Sequence, residues 1–356
     1  MNSHDAGLGN LSEPSSFIRK LPKAELHLHL EGTVDPATLA ELSSRHPTPL
    51  PVLNNRYKDV SDSGRVLSVE DARALYDYKN FVGFLMAFKA VTERLRDPED
   101  YELITYRMIE KLARESVVYA EVYVSVGVIF WRGQEFDPLF EGMERGRERG
   151  EHDFGVKLNW IFDAVRHFGP EEAEKVVAKA IDLRRRNVIG IGIGGDEARG
   201  PAKNFREIYA HAAKQGLHLT AHAGESTGPE SIWSALRDLQ AERIGHGLRA
   251  VDDPALVEHL ARTGTPVEIC LSSNVRTGCC RAINEHPVRR LFDAGVRITI
   301  ATDDPEMFGT SLSREYELLQ NNFGFSDDEL SKLSDNSFEA SFLPPEEKER
   351  YLRSRL

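Results

Sequence analysis

Short apolar runs alternate along this chain with longer amphipathic stretches. Eight runs read as strands, at 24–30, 117–126, 157–165, 188–193, 217–223, 243–247, 266–271 and 297–301. Helical patterns separate them at 170–186, 201–215, 229–240, 254–263 and 286–294. Several open on a proline (Pro170, Pro201, Pro229, Pro254), which suits a first helical turn because its missing N–H has no partner there anyway. Others stop at a glycine (Gly216, Gly264, Gly295), where a left-handed residue ends a helix. Eight strands alternating with helices predict an α/β fold, the (β/α)8 TIM barrel, as a single domain over 17–356 behind a flexible tail, 1–16. The first connection, 34–116, is much longer than the others and carries helical patterns at 76–94 and 98–114. It predicts a helical insertion capping the C-terminal face, with a separate helical domain as the alternative. The stretch 313–356 is again helical and is expected to pack on the barrel wall.

The first strand is unusual. Glu25-Leu26-His27-Leu28-His29-Leu30-Glu31 alternates strictly, which puts Glu25, His27, His29 and Glu31 on one face. A barrel strand is normally apolar on both faces, and a polar inward stripe costs several kcal/mol unless something binds it. A lone His-x-His is equally a satisfied structural pair. Other strand ends change the weighting: His222-Ala223-Gly224-Glu225, Gly245-His246-Gly247 and Thr302-Asp303-Asp304 all fall where barrel active sites are assembled. Strands one and eight are neighbours on closure, so His27, His29 and Asp303 can meet. With His222 they form a plausible site for one Zn2+ per chain, leaving a position open for water. Zinc lowers the pKa of bound water from about 15.7 to about 7. Glu225 is then the candidate acid/base, and His246 the candidate group that holds the hydroxide.

Other features compete for attention. Gly190-Ile191-Gly192-Ile193-Gly194-Gly195 matches a dinucleotide fingerprint, but no acidic strand end follows about twenty residues later, and Asp196-Glu197 would repel a pyrophosphate. Close backbone approach beside a ligand explains these glycines better. Cys279-Cys280 reads as two unligated thiols, and without a Pro-Cys-x-x-Cys the cysteine-ligated deaminases are excluded. Arg166-His167 either touches substrate or seals the rim. Tyr76, Tyr78, Phe81, Phe84 and Phe88 read as core, with one or two facing the site.

Charge and cysteine content narrow the partners. Asp plus Glu (57) exceed Lys plus Arg (45), giving −12, which disfavours nucleic acid and anionic membranes and favours a small molecule. No apolar run of about 18 residues occurs, and the first residues carry neither a basic start nor an apolar core. Three cysteines cannot build a disulfide framework, so a reducing cytoplasm is expected. The oligomeric state is left open.

On 26–32, Gly195-Asp196-Glu197, His222 to Glu225, Gly245 to Gly247, Ser272-Ser273-Asn274 and 302–305, the chain resembles the adenosine deaminase family of metal-dependent hydrolases. The motifs stand in the family's order across nearly the whole length. The resemblance implies zinc on His27, His29, His222 and Asp303, with Glu225 passing a proton to purine N1 and His246 positioning hydroxide. It also implies Asp304 at N7, the Gly195 N–H at N3, Glu31 toward the sugar's 5′ side, and hydroxide attack at C6 with loss of ammonia. It therefore points to a purine nucleoside deaminase, with adenosine as the leading substrate. Tyr123-Val124-Ser125-Val126 departs from the family's Arg-x-Ser-Pro, and Ile300-Ala301 from its apolar-Asn pair. Those departures bring in adenine and aminodeoxyfutalosine, an adenosine analogue bearing a benzoate and used in menaquinone synthesis. Arg276 or Arg281 would be placed to meet that carboxylate. A two-metal amidohydrolase and a non-catalytic nucleoside-binding module are the remaining alternatives.

Overall fold

The parallel strands close into a ring because each is followed by a helix that returns the chain to the same end. A computed structural model describes residues 13–48, 66–78 and 80–353. The strands are β1 (Lys23–His29), β2 (Val117–Val124), β3 (Lys157–Val165), β4 (Val188–Gly194), β5 (His218–Ala223), β6 (Arg243–His246), β7 (Val267–Ile269) and β8 (Ile298–Ile300), paired in chain order. The first and last meet where the His29 N–H donates to the Asp303 carbonyl (2.8 Å) and the Asp303 N–H to that of His27 (3.0 Å). This is a (β/α)8 barrel, and every strand lies within two residues of its expected bounds. The helix-ending glycines behave as expected, with φ of 82° at Gly216, 70° at Gly264 and 79° at Gly295.

The helices depart further from expectation. The pattern expected at 76–94 holds the helix Phe81–Thr92, which starts later because Asn80 caps it by accepting the Gly83 N–H at 2.9 Å, and an unforeseen helix, Val69–Tyr76, precedes it. Helix Pro98–Arg114, expected within the cap, packs instead beside β2 and against helix Phe136–Phe154. The latter escaped the sequence pattern because glycines interrupt it. Those glycines make the contact: a Cβ at Gly142 would sit 2.0 Å from the Pro98 carbonyl oxygen, and one at Gly146 2.6 Å from that of Glu102. Residues 1–12 of the expected tail lie outside the described residues, while Ser15 already caps helix Ser16–Lys20. The last three helices, Leu312–Phe323, Asp327–Ala340 and Pro345–Arg353, follow β8. Phe338, Ala340 and Leu343 pack on Ala24 and Leu26, at the end where the strands begin.

Candidate active site

The alternation in β1 does not survive intact. Glu25 pairs with Ala120 and Leu28 with Val122, so three steps on β1 face two on β2, a bulge that breaks the parity of the strand. Glu25 therefore leaves the histidine face and lines a separate cavity with Met108, Leu112 and Leu312. There its carboxylate accepts the Thr302 N–H (3.0 Å) and hydroxyl, while burial pushes its pKa up to about 7.

His27, His29, His222 and Asp303 converge, all buried. Nε2 of His222 stands 3.0 Å from Nε2 of His27 and 3.3 Å from that of His29; Oδ1 of Asp303 stands 3.7 and 3.3 Å from the same two atoms. Four donors about 2.0–2.1 Å from one tetrahedral ion lie roughly 3.3 Å apart, so this set fits a zinc-sized cation. The protonation pattern fits as well. Burial lowers His29 to about 4 and His222 well below its ordinary value, leaving lone pairs on both. For His27, burial acts downward, but the Glu268 carboxylate 2.7 Å from Nδ1 outweighs it and fixes the ring with Nε2 toward the site. Glu268 is anchored by Nε of Arg243 (2.6 Å), which also grips Glu121 (2.5 Å) and stacks 3.9 Å over the Phe342 ring. Ser273 donates to Oδ2 of Asp303 at 2.7 Å, freeing Oδ1 for the cluster.

Two of these strand ends are strained. His246 and Asp303 have φ of 63° and 65°, a left-handed conformation costing on the order of 1–3 kcal/mol each for a non-glycine residue. The strain aims both side chains at one point, with Nε2 of His246 3.9 Å from Oδ2 of Asp303 and 3.7 Å from Oε2 of Glu225. Burial raises the Glu225 carboxyl above its usual range, against the pull of His246, so Glu225 is suited to carry a proton. Its loop is held by Glu197, whose carboxylate accepts the N–H groups of Gly224 (2.8 Å), Glu225 (3.0 Å) and Ser226 (2.8 Å) and the hydroxyls of Thr227 (2.8 Å) and Ser231 (2.5 Å).

These groups border one cavity of about 210 Å³, with His29, His222, Glu225, His246, Asp303, Asp304, Gly194 and Gly195 on its polar side. Oδ1 of Asp304 has no hydrogen-bond partner among the described residues, and burial together with Asp303 raises its pKa well above the usual range. Its backbone lies against Gly32, where a Cβ would fall 2.1 Å from Oδ1. Phe81, Phe84, Leu85, Phe88 and Phe168 form the apolar side. Three of the five aromatic residues expected as core thus face the site, while Tyr76 and Tyr78 donate to the Val34 and Met307 carbonyls. Glu31 is buried but absent from this lining; its Oε1 accepts the Ser125 N–H at 3.0 Å.

The glycines of β4 admit side chains and not a pyrophosphate: a Cβ at Gly192 would stand 2.7 Å from both Asp163 Oδ1 and Tyr123 Cε1. His167 lines the cavity, whereas Arg166 is buried beneath it and donates to the His222 carbonyl at 2.5 Å. Arg276 donates to the Tyr76 carbonyl (2.9 Å) and Arg281 pairs with Glu285 on the surface, so neither borders the cavity. Cys279 lies 3.8 Å from Oε1 of Glu225 and belongs to no metal-ligating group among the described residues. Glu268 and Asp163 were missed at the sequence level, although each is a lone acid in an apolar strand, the signal that singled out His27. Asn274 entered only as part of a resembling motif, and Glu197 only there and as a charge that would repel a pyrophosphate.

The comparisons with known proteins agree with this geometry. A sequence model described as adenosine deaminase matches residues 22–356. The aminodeoxyfutalosine deaminase of Streptomyces avermitilis is 39% identical, over 92% of this chain and 88% of its own length. The adenine deaminase of Rhizobium rhizogenes is 37% identical, over 91% and 95%. Among solved structures, the adenine deaminase of Arthrobacter aurescens superposes with a TM-score of 0.83 at 29% identity, covering 93% of this chain and 97% of that one. This chain belongs to the adenosine deaminase family.

Proposed function

We propose that the chain is a hydrolytic deaminase of a 6-aminopurine carrying an aromatic extension, of the aminodeoxyfutalosine type. The relatives above are named for aminodeoxyfutalosine and adenine, which moves the first choice away from adenosine. The observation that carries the reaction class is the meeting, at one cavity lined by His29, His222 and Asp303, of the four-donor cluster with two carboxyls of raised pKa, Glu225 and Asp304. His27, His29, His222 and Asp303 would hold a divalent ion, which would supply the Lewis acidity that makes water a nucleophile near neutral pH. Protonated Glu225 donates to purine N1 as water adds at C6. The carboxylate left on Glu225 takes one proton from the adding water and passes it to the 6-amino group. The C6–N bond breaks, ammonia leaves, and the second water proton returns to Glu225 as C6 becomes a carbonyl. Protonated Asp304 donates to N7, the Gly195 N–H donates to N3, and His246 donates to the attacking oxygen. These donors meet charge that grows only as addition proceeds, which is where rate is gained.

The lining narrows the substrate. Among the described residues no lysine or arginine borders the cavity, and Asp163, Glu225, Asp303 and Asp304 do, so a 5′-phosphate is disfavoured. Phe81 and Leu85, 37% and 40% exposed, offer an apolar edge for a further ring. Adenine itself is the second choice, favoured by a cavity of about 210 Å³, below the roughly 300–1,000 Å³ of drug-sized sites. Steady-state kinetics on aminodeoxyfutalosine, adenine, adenosine and AMP decide. Aminodeoxyfutalosine should give the highest kcat/KM, with AMP on the order of 100-fold lower; preference for adenosine or AMP overturns the assignment, and preference for adenine selects the second choice.

A further inference from the structure

His246 can serve two opposite purposes, depending on which ring nitrogen holds its proton: with Nε2–H it donates toward the reacting oxygen, and with a bare Nε2 it accepts. Behind it lies a buried chain of hydrogen bonds that the reaction scheme above does not use. Nδ1 of His286 accepts the Val288 backbone N–H at 3.2 Å. Nε2 of His286 faces Oδ1 of Asn274 at 3.1 Å, and Nδ2 of Asn274 faces Nδ1 of His246 at 3.1 Å. All three side chains are at least 96% buried, since His246 is 1%, Asn274 0% and His286 4% exposed, so water is excluded from the chain.

Only one proton arrangement satisfies it. A backbone N–H always donates, so Nδ1 of His286 holds a lone pair and its proton is on Nε2. That Nε2–H donates to an acceptor, which must be the amide oxygen of Asn274. Turning the amide over would aim its NH2 at His286 and leave both of that ring's nitrogens as acceptors, which a neutral imidazole cannot provide. The Asn274 NH2 therefore points at His246 and donates to Nδ1. The His246 proton is left on Nε2, on the side of Glu225 and Asp303.

We infer that Asn274 and His286 are positioning residues that lock His246 in its Nε2–H form, so that it donates to the attacking oxygen and leaves proton transfer to Glu225. The inference rests on the deaminase assignment for its purpose, but the proton position does not depend on which substrate is used. Asn274 sits in helix Leu271–Arg276 after β7, and His286 at the end of the turn Ile283–Glu285. The backbone of one loop thereby sets the chemistry of a side chain two elements away.

Asn274→Asp tests this with almost no change of shape. A carboxylate accepts from both neighbours, so His246 must move its proton to Nδ1 and present a bare Nε2. In the metal-loaded protein labelled with 15N-histidine, long-range 15N–1H correlation should show His246 protonated on Nε2 in the wild type and on Nδ1 in Asn274→Asp. His246→Asn identifies its signals. Metal content should be unchanged, and kcat should fall about 100-fold, with KM within about threefold. His286→Gln keeps a donor toward Oδ1 and should retain the Nε2–H form, whereas His286→Ala should not. A wild-type His246 protonated on Nδ1, or Asn274→Asp with unaltered tautomer or rate, overturns the inference. The wild-type spectrum decides it even if the variants do not fold. A protein with the predicted spectrum but no deaminase activity would instead overturn the functional assignment alone.

Discussion

Glu197→Gln replaces one carboxylate oxygen by an NH2 in a pocket built only of donors. Oε1 receives the N–H groups of Glu225 and Ser226, and Oε2 that of Gly224 with the hydroxyls of Thr227 and Ser231. With the NH2 at the Oε2 position, the two hydroxyls can turn and accept, but the buried Gly224 N–H loses its acceptor. That orphan costs about 1–3 kcal/mol, and each bond kept loses about 1 kcal/mol of charge assistance. Counting the two N–H bonds kept on Oε1, the sum is at least about 3 kcal/mol of stability, and a loosened Glu225 should cost activity on the order of 10²-fold. The pH dependence gives a second check. Burial acts to raise the Glu197 pKa, yet the bonds from Ser231, Ser226 and Thr227 and the charge of Arg166 hold it below 4.5. A depressed carboxylate stabilises the fold above its unfolded pKa and loses that contribution as pH falls through the folded one. Urea unfolding at pH 7.5 should therefore separate wild type and variant by at least about 3 kcal/mol, and the gap should close toward pH 3. A gap below about 0.5 kcal/mol at pH 7.5, or one that widens in acid, would refute the clamp.

Other substitutions probe the remaining parts. Glu225→Gln should keep the metal and lower kcat about 10²–10⁴-fold, checked by metal analysis beside steady-state rates. Asp303→Ala removes the one charged ligand, so metal content and activity should fall together on dialysis against a mild chelator. Burial raises Glu31 to about 7, so the folded state binds its proton more tightly than the unfolded one and loses stability as pH rises from about 4.5 to 7. Glu31→Gln, keeping the Ser125 bond through its amide oxygen, should be about as stable as wild type at pH 4 and about 3 kcal/mol more stable at pH 8 by urea unfolding.

The strands were legible because a covered parallel sheet demands short apolar runs, and the helix ends because proline and glycine mark them. The candidate metal ligands were legible for a related reason: histidine and carboxylate at the ends of barrel strands have few other uses. The helices were read less well. Phe136–Phe154 carries glycines that lower its propensity, and their value appears only when Pro98–Arg114 lies against them. Asn80 delays the helix expected from residue 76 until Phe81 because its side chain captures a backbone N–H, a choice that hydropathy does not record.

Alternation alone set His27 and His29 on one face, and the order of the motifs set the family. Where Glu25 went was decided by a bulge between neighbouring strands, since parity depends on pairing and not on the strand's own residues. The partners of the site were likewise decided in space. Glu268 is 241 residues from His27, Glu197 is 27 from Gly224, and Arg276 is 200 from the Tyr76 carbonyl that holds it away from the cavity. Hydrogen bonds act over about 3 Å whatever the chain separation, so composition and periodicity named the candidate reacting groups, and only the closed barrel showed what holds, charges and orients them.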